Sequence, residues 1–287
     1  MTKSSKITPA TYRSLEGKVA LVTGASRGIG SGIARNLASK GASLILNYTS
    51  TSSTQICNDL ASELAEKFGG KHIVVQADMG SREGPNYLIE TAASKLPNLQ
   101  LDIIVNNAGI TSNGKIEDFK IEDFEECYSV NVRGPLLLMK AALPYLPNDR
   151  SGRIINVSSV AATCGQEGLS VYGGSKAALD AMTRSWAREL SARATVNSIN
   201  PGPVMTDMWQ KASSAELSGD LRALMSLVPL GKIREGIDDK RISKDTMGTR
   251  PAYVEEIAGI VGMLVSVESG WCTGQVICAN GGMRMSI

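Results

Sequence analysis

The segment from Tyr172 to Lys176, with the sequence YGGSK, contains two side chains that can take part in proton transfer. Residues four positions apart lie on one face of a helix, so this spacing would place the phenol of Tyr172 beside the ammonium of Lys176. A free phenol has a pKa near ~10 and needs nearby positive charge to exchange its proton at neutral pH. The pattern therefore indicates acid–base chemistry by Tyr172, and a buried structural tyrosine is the alternative.

A glycine-rich stretch gives the second chemical signal. Thr23 to Gly30 follows an apolar run and opens a helical pattern, with glycine at 24, 28 and 30. Such a turn lets main-chain amides and a helix N-terminus face the pyrophosphate of a dinucleotide without obstruction by side chains. A plain strand-to-helix turn is the alternative interpretation of this stretch alone.

Elements of two kinds must position these residues. Short apolar runs that predict strands are Val19 to Val22, Ser43 to Leu46, His72 to Val75, Ile103 to Val105, Arg153 to Val157, Thr195 to Ile199 and Gln275 to Cys278. Helical patterns lie between them, for example Ile56, Leu60, Leu64 and Phe68. This alternation predicts an α/β fold: a seven-stranded parallel sheet covered by helices on both faces, with ligands beyond the carboxyl ends of the strands.

Further signals fall just after predicted strands, at Asn106-Asn107-Ala108-Gly109, Ser158-Ser159 and Pro201-Gly202. In their order along the chain, TGxxxGxG, NNAG, serine, YxxxK and PG resemble the short-chain dehydrogenase/reductase family from about Gly17 to Gly282. The resemblance is to 3-oxoacyl reductases and fungal ketoreductases. It implies a single Rossmann-type, doubly wound domain over residues 17–287, preceded by a tail at 1–16.

The resemblance implies four catalytic residues: Asn131, Ser159, Tyr172 and Lys176. Ser159 would hold the substrate oxygen, with Ser158 as the alternative serine. Tyr172 would donate the proton, and Lys176 would also bind the nicotinamide ribose. Asn131 would hold a water that supplies protons to Lys176, a role that depends on the resemblance alone.

Cofactor contacts are implied in the same way. The residues concerned are Gly24, Ser26, Arg27, Gly28, Ile29, Gly30, Asn47, Tyr48, Thr49, Ser50, Asp78, Met79, Asn106, Ala108, Gly109, Tyr172, Lys176, Pro201, Gly202, Val204 and Thr206. The stretch 47–53 lacks the acid that binds the ribose 2′-hydroxyl of NAD, whereas Arg27 and nearby hydroxyls suit a 2′-phosphate. NADP(H) is therefore favoured, with an enzyme that uses both cofactors as the alternative. Asp78 could instead be a turn residue, and Arg27 could be a solvated one.

The resemblance implies that the segment 205–250 is an insertion that covers the substrate, and apolar residues recur in it at roughly helical intervals. With Ser159 and Tyr172, the expected substrate contacts are Cys164, Gln166, Met208 and Trp209. A packed surface helix is the alternative for this segment, and a buried thiol is the alternative role for Cys164. The apolar residues favour a bulky hydrophobic substrate.

Composition excludes several classes of function. The formal net charge is only +2 and no long run of like charge occurs, which argues against nucleic acid or a membrane surface as a partner. Five scattered cysteines and one histidine give no disulfide framework and no metal site, and they favour a reducing, cytoplasmic setting. By resemblance, helices at 121–142 and 175–190 would form a homodimer or homotetramer.

These observations predict NADPH-dependent reduction of a carbonyl group in a polyketide-like, quinone-like or 3-oxoacyl compound. Two alternatives remain open at this stage. One is a non-redox enzyme on the same scaffold that catalyses cyclisation, epimerisation or dehydration, and the other is an NADP-binding sensor.

Overall fold

The computed structural model describes residues 13–207, 209, 225–238 and 249–285. Leu15, which the sequence places in the N-terminal tail, is buried, and its amide donates to the Lys40 carbonyl at 2.8 Å. The folded body therefore includes residues that precede Gly17. Nowhere in the described ranges does a helix combine the length and the apolar character needed to cross a bilayer.

The described residues form seven strands in one parallel sheet, in the order β3-β2-β1-β4-β5-β6-β7. The strands are β1 (Val19–Val22), β2 (Ser43–Tyr48), β3 (His72–Gln76), β4 (Ile103–Asn106), β5 (Gly152–Val157), β6 (Ala194–Ile199) and β7 (Val276–Ile277). Each lies where the sequence predicts a strand, with small differences at the ends. The predicted fold class is confirmed.

Helices connect these strands. Those described are α1 (Gly28–Ser39), α2 (Thr54–Phe68), α3 (Gly84–Lys95), α4 (Ile121–Tyr128), α5 (Gly134–Ala142), α6 (Ala161–Cys164), α7 (Ser170–Glu189) and α8 (Val254–Leu264). Between α4 and α5 the chain forms a π-helical turn, Ser129–Arg133. The pattern at 121–142 is thus two helices joined by a turn that contains one residue more than an α-helix allows.

Helices cover both faces of the sheet, and each face has its own apolar core. One core contains residues of α1, α2 and α8, and the other contains residues of α3, α5 and α7. Side chains along a strand point alternately to the two faces. In β1, for example, Ala20 and Val22 enter the first core and Leu21 enters the second. Burial on both faces explains why the strands are apolar throughout.

The sheet topology places the functional loops together. Strand order reverses between β1 and β4, so the loops that follow these two strands diverge and leave a crevice at the carboxyl edge. The loop after β5 meets the loop after β6, where the Val160 amide donates to the Pro201 carbonyl at 2.9 Å. All the signals found after strands therefore lie along one edge.

Candidate active site

Tyr172 and Lys176 lie on one face of α7, as their spacing predicts. The Lys176 ammonium donates to the Val157 carbonyl, the last of β5, at 2.8 Å, and it lies 5.8 Å from the centre of the Tyr172 ring. Lys176 is buried, and burial lowers its pKa to about 8. Loss of hydration disfavours the charged form of a lysine, so this side chain is cationic at neutral pH but near its titration point.

Ser159, rather than Ser158, faces the phenol. Burial raises the pKa of Tyr172, and a hydrogen bond with Ser159 acts in the opposite direction. The Ser159 hydroxyl also accepts from the Ala161 amide at 3.1 Å, which fixes its position at the start of α6. Ser158 is buried, and its hydroxyl donates to the Lys176 carbonyl at 3.2 Å. Ser158 therefore hydrogen-bonds to the backbone of α7 instead of facing the phenol.

Asn131 is fully buried in the π-helical turn between α4 and α5. Its Oδ1 accepts from the Ile110 amide at 3.0 Å, and its Nδ2 donates to the Ile110 carbonyl and to Ser175 Oγ, both at 2.9 Å. Ser175 Oγ in turn donates to the Tyr172 carbonyl at 2.7 Å. Ser175, which the sequence analysis left without a role, therefore links Asn131 to the backbone of the tyrosine.

Gly109 shows how closely these groups converge. A Cβ at this position would lie 3.2 Å from both Asn131 Oδ1 and Lys176 Nζ. A side chain here would occupy the space between the amide and the ammonium. The four residues predicted to be catalytic thus surround one small region at the carboxyl edge of β4 and β5.

The glycine loop after β1 is packed too closely for side chains. Gly24 and Gly28 have positive φ angles of 62° and 55°, which favour glycine. A Cβ on Gly30 would lie 2.3 Å from the Gly24 carbonyl oxygen. The N-cap residue of α1, Arg27, makes no capping hydrogen bond through its side chain. The first turn of α1 therefore presents its amides to an anion beyond the loop.

The loop after β4 supports the glycine loop through residues that sequence reasoning missed. Thr23 Oγ1 accepts from the amides of Asn107 and Ala108 at 2.9 and 3.0 Å, and Asn107 Nδ2 donates to the Thr23 carbonyl at 2.8 Å. Asn106 has a different orientation, because its buried amide donates to Asn156 Oδ1 at 2.7 Å inside the sheet. Thr23 could have been identified from the sequence, because it is the first residue of the TGxxxGxG signature.

At the end of β2, buried residues that support the glycine loop are followed by polar residues nearer the surface. Asn47 is fully buried and accepts from the Gly24 amide at 3.3 Å, and Tyr48 is also buried. Ser50 lies beyond them in contact with Ser53, at 3.3 Å between their hydroxyl oxygens. Thr49 immediately precedes Ser50, and its backbone carbonyl accepts a hydrogen bond from the Gln76 side chain at 3.1 Å.

Arg27 links the glycine loop to the serine hydroxyls that follow β2. Its Nη2 donates to Ser53 Oγ at 3.0 Å, and its Nη1 lies 3.7 Å from Asp207 Oδ2. The side chains of Arg27 and Asp207 are 55% and 64% exposed, so the guanidinium remains accessible. Ser53, which precedes α2, was not among the predicted cofactor residues. The group Arg27, Ser50 and Ser53 is called the arginine–serine cluster below.

The remaining predicted cofactor residues lie in the glycine loop and in the loops that follow β3 and β6. Asp78 is exposed and accepts from the Gly80 amide at 2.9 Å, as a turn residue does, whereas Met79 is buried in the core. The loop after β6 returns to the glycine loop, because Val204 pairs with Ala252 and the Thr206 methyl lies 3.2 Å from a Cβ placed on Gly28. Other members are Ser26 and Ile29 in the glycine loop and Pro201 and Gly202 after β6.

A groove lined by both apolar and polar residues lies beside α6 and α7. Gln166 lines it together with Lys115, Thr163 and Glu167, and a salt bridge of 2.8 Å joins Lys115 to Glu167. Cys164 is half-buried at the end of α6. Trp209 is half-buried, and its amide donates to Thr206 Oγ1 at 3.3 Å, whereas Met208 lies outside the described residues. In the described part of the chain, no group of three or more His, Cys, Asp or Glu residues could hold a metal ion.

A family model described as short chain dehydrogenase matches residues 18–217, which contain the glycine loop, Asn131, Ser159, Tyr172 and Lys176. The chain belongs to the short-chain dehydrogenase family. Membership explains why these motifs occur in one order and converge at one edge of the sheet. The expectation of an enzyme that acts on CH–OH or C=O groups is confirmed at the level of the family.

Characterised relatives match the dehydrogenase over nearly its whole length. L-xylo-3-hexulose reductase of Hypocrea jecorina is 45% identical, with 96% of this chain and 99% of the relative covered. L-xylulose reductase of Aspergillus niger is 44% identical over the same shares. Among solved structures, a blue fluorescent protein from a metagenomic library in complex with NADPH is 36% identical with a TM-score of 0.81, and the match covers 95% of this chain and 100% of that one.

An ion cluster lies at the end of the 205–250 segment, where the side chains of Arg250 and Asp238 are buried and those of Arg234 and Glu256 are partly exposed. Arg250 donates to both carboxylate oxygens of Glu256 at 2.8 Å and to Asp238 Oδ1 at 3.2 Å. Asp238 also accepts from Arg234, at 3.0 Å to Nη2. Its pKa is far below the usual range because of the hydrogen bonds from Arg234. The Lys232 to Thr249 pair lies beside this cluster, so both ends of the stretch between them are held at one place.

Proposed function

We propose that the dehydrogenase reduces a carbonyl group with NADPH and that Tyr172 donates the proton. The observation that carries this proposal is the convergence of three groups at one point: the Tyr172 phenol, the Ser159 hydroxyl bonded to it, and the Lys176 ammonium 5.8 Å from the ring. A cation near a phenol stabilises the phenolate that remains after proton transfer. The arrangement suits general acid catalysis of reduction.

The cofactor proposal is supported by the fit of the chain to a phosphorylated dinucleotide. The glycine loop leaves its amides accessible, and Gly30 has no space for a Cβ. The arginine–serine cluster offers a cation and two hydroxyls where an NAD-specific enzyme would place an acid. NADPH, when bound, supplies the hydride. The solved relative that contains NADPH supports the same choice.

Each residue of the site has a separate role in the proposed reduction. Ser159 would hold the carbonyl oxygen, and Tyr172 would transfer its phenolic proton to that oxygen as charge develops. Lys176 would stabilise the phenolate and, through the ribose, orient the hydride donor. Asn131 and Ser175 hold the N-terminal turn of α7 against the loop after β4. The proposed water on Asn131 remains a prediction.

For the substrate, we propose a small polyhydroxy ketone as the first class to test. The names of two relatives at 45% and 44% identity, L-xylo-3-hexulose reductase and L-xylulose reductase, support it. The groove beside α6 and α7 offers Lys115, Gln166 and Glu167 as hydrogen-bonding partners for a substrate that carries hydroxyls. A hydrophobic carbonyl compound is the second candidate, favoured by apolar Trp209, Met225 and Leu227 in the 205–250 segment.

The deciding experiment compares Tyr172→Phe with the wild type across a panel of ketoses, hydrophobic ketones, quinones and 3-oxoacyl thioesters, by NADPH absorbance. Loss of the hydroxyl should lower kcat by roughly 10²- to 10⁴-fold while NADPH still binds, measured by cofactor fluorescence. Tyr87→Phe, at an exposed tyrosine, is the matched control. NADPH binding without turnover by the wild type on any substrate would favour the non-redox or sensor interpretation.

Two further proposals accompany this function. All five cysteines are free, which supports a reducing compartment such as the cytoplasm. A homodimer or homotetramer is supported by exposed apolar side chains on α4 and α5 and just after α5, namely Ile121, Leu136 and Leu143.

A further inference from the structure

The face of α7 that carries the proposed acid continues to a third ionisable residue. Tyr172, Lys176 and Asp180 follow one another at intervals of four along the helix. Side chains at this spacing lie on the same face. Asp180 is only 6% exposed, and the proton transfer proposed above makes no use of it.

Asp180 is held in one orientation by neutral donors from the sheet. Ser198 of β6 donates its hydroxyl to Asp180 Oδ1 at 2.7 Å, and Ser158 after β5 supplies a second hydrogen bond. Ser158 also contacts the Lys176 carbonyl, so one side chain supports both turns of the helix. Burial raises the pKa of Asp180, and these hydrogen bonds act in the opposite direction by favouring its charged form.

A buried carboxylate is costly without compensation, so the charges around it are informative. Arg184, one turn further along α7, is exposed and acts on Asp180 from the solvent side. On the inner side the neighbouring cation is Lys176, and each of these two charges favours the ionised form of the other.

Lys176 makes no direct contact with a carboxylate in the part of the chain that the structure describes. Within the described ranges no carboxylate forms a salt bridge with Lys176, and its recorded hydrogen bond goes to the Val157 carbonyl. The other titratable groups that face it are Tyr172 on α7 and Cys127 on α4. Burial raises the pKa of both and so favours their neutral forms, whereas a charge on Cys127 would raise the pKa of Lys176 in the same direction as Asp180 does.

We propose that Asp180 is a positioning residue of this active site, whose buried carboxylate keeps Lys176 protonated from one helical turn away. The carboxylate acts through its electric field and leaves the ammonium free for the cofactor and the phenol. In a medium of low dielectric constant, such an interaction persists without contact. This inference rests on the proposed function, because it needs a cationic Lys176 during reduction.

The sign of the effect follows from the protonation state. Reduction needs the ammonium, so kcat should fall as pH rises through the pKa of Lys176, which is about 8. Removal of the Asp180 charge would lower that pKa further. The basic limb of the kcat profile should then move toward lower pH by about one unit.

The test is the pH profile of kcat from pH 6 to 9 for the wild type, Asp180→Asn and Ser198→Ala. Asp180→Asn should lose roughly fivefold at pH 8 and little at pH 6, as expected for a lowering of about one pKa unit. Ser198→Ala removes a hydrogen bond that favours the charged form of Asp180, so its basic limb should move in the same direction as that of Asp180→Asn but by less. Asp180→Ser replaces the asparagine variant if thermal unfolding shows that the latter does not fold.

A uniform loss of kcat at every pH in Asp180→Asn, or an unchanged profile, would overturn the inference and leave Asp180 with a packing role. Failure of the proposed function looks different. In that case the wild type would show no NADPH-dependent reduction, or Tyr172→Phe would retain full turnover.

Discussion

Two buried cations in this dehydrogenase have the same exposure and opposite surroundings. Lys176 and Arg250 each expose 4% of their surface. Arg250 contacts two carboxylates and stacks on the Tyr253 ring at 4.3 Å, and hydrogen bonds with Glu256 raise its pKa. Lys176 has one carbonyl partner and no ion pair within the described chain, and burial lowers its pKa to about 8.

The difference in partners distinguishes a cation that supports the fold from a cation that is available for chemistry. A cation whose donors are all engaged is fixed, and its removal leaves buried carboxylates without a partner. A cation with free donors is costly to bury, yet it can bind a ligand and respond to a change of charge nearby. Lys176 and Arg250 are equally buried, so only their hydrogen-bond and ion-pair partners distinguish them.

The largest expected effect concerns the cation with few partners. Lys176→Met should lower kcat by about 10²-fold or more, because the phenolate would lose its stabilising charge. The free energy of unfolding should change little, since the variant removes a poorly compensated buried charge but also the cation that favours the ionised form of Asp180. Steady-state kinetics and urea unfolding measure the two quantities. A large loss of stability would show that Lys176 is structural after all.

Arg250→Met should have the opposite profile. Its removal leaves Asp238 and Glu256 without their shared partner, so the free energy of unfolding should fall by about 3 kcal/mol. The folded fraction should keep kcat within a few-fold of the wild type. Arg234→Met, at a partner whose side chain is 56% exposed, is the control and should cost less than about 1 kcal/mol. Equal costs for the two arginines would contradict the assignment.

Arg27 extends the comparison to an exposed cation with a weak partner. Arg27→Ala should raise KM for NADPH about tenfold and leave KM for NADH nearly unchanged, because one charged hydrogen bond to the 2′-phosphate would be lost. Asp207→Asn removes the carboxylate 3.7 Å away and should lower KM for NADPH slightly. An equal rise of KM for both cofactors after Arg27→Ala would show a role in the shape of the loop instead.

The sequence predicted the strands and helix α7 well, because these depend on local patterns. All seven strands lie where apolar β-branched runs occur, and Tyr172 and Lys176 share a face as their spacing requires. Helix α8 was not predicted. Its packing against α1 comes from contacts between distant parts of the chain, which a local pattern does not contain.

Side-chain direction at strand ends was the weaker part of the sequence analysis. Asn106 and Asn107 are adjacent and identical in type, yet one points into the sheet and the other toward the glycine loop. The sequence cannot tell which of two neighbouring residues ends the strand, and a shift by one position reverses the outcome. Ser53 was missed because its closeness to Arg27 depends on where α2 begins.

The π-helical turn at Ser129–Arg133 has a consequence for how this chain can evolve. Loss of one residue there would restore a regular helix from α4 into α5, with better hydrogen bonds, but would rotate Asn131 by about 100° away from Ile110 and Ser175. Selection for heat resistance and selection for turnover would therefore favour different chain lengths at this turn.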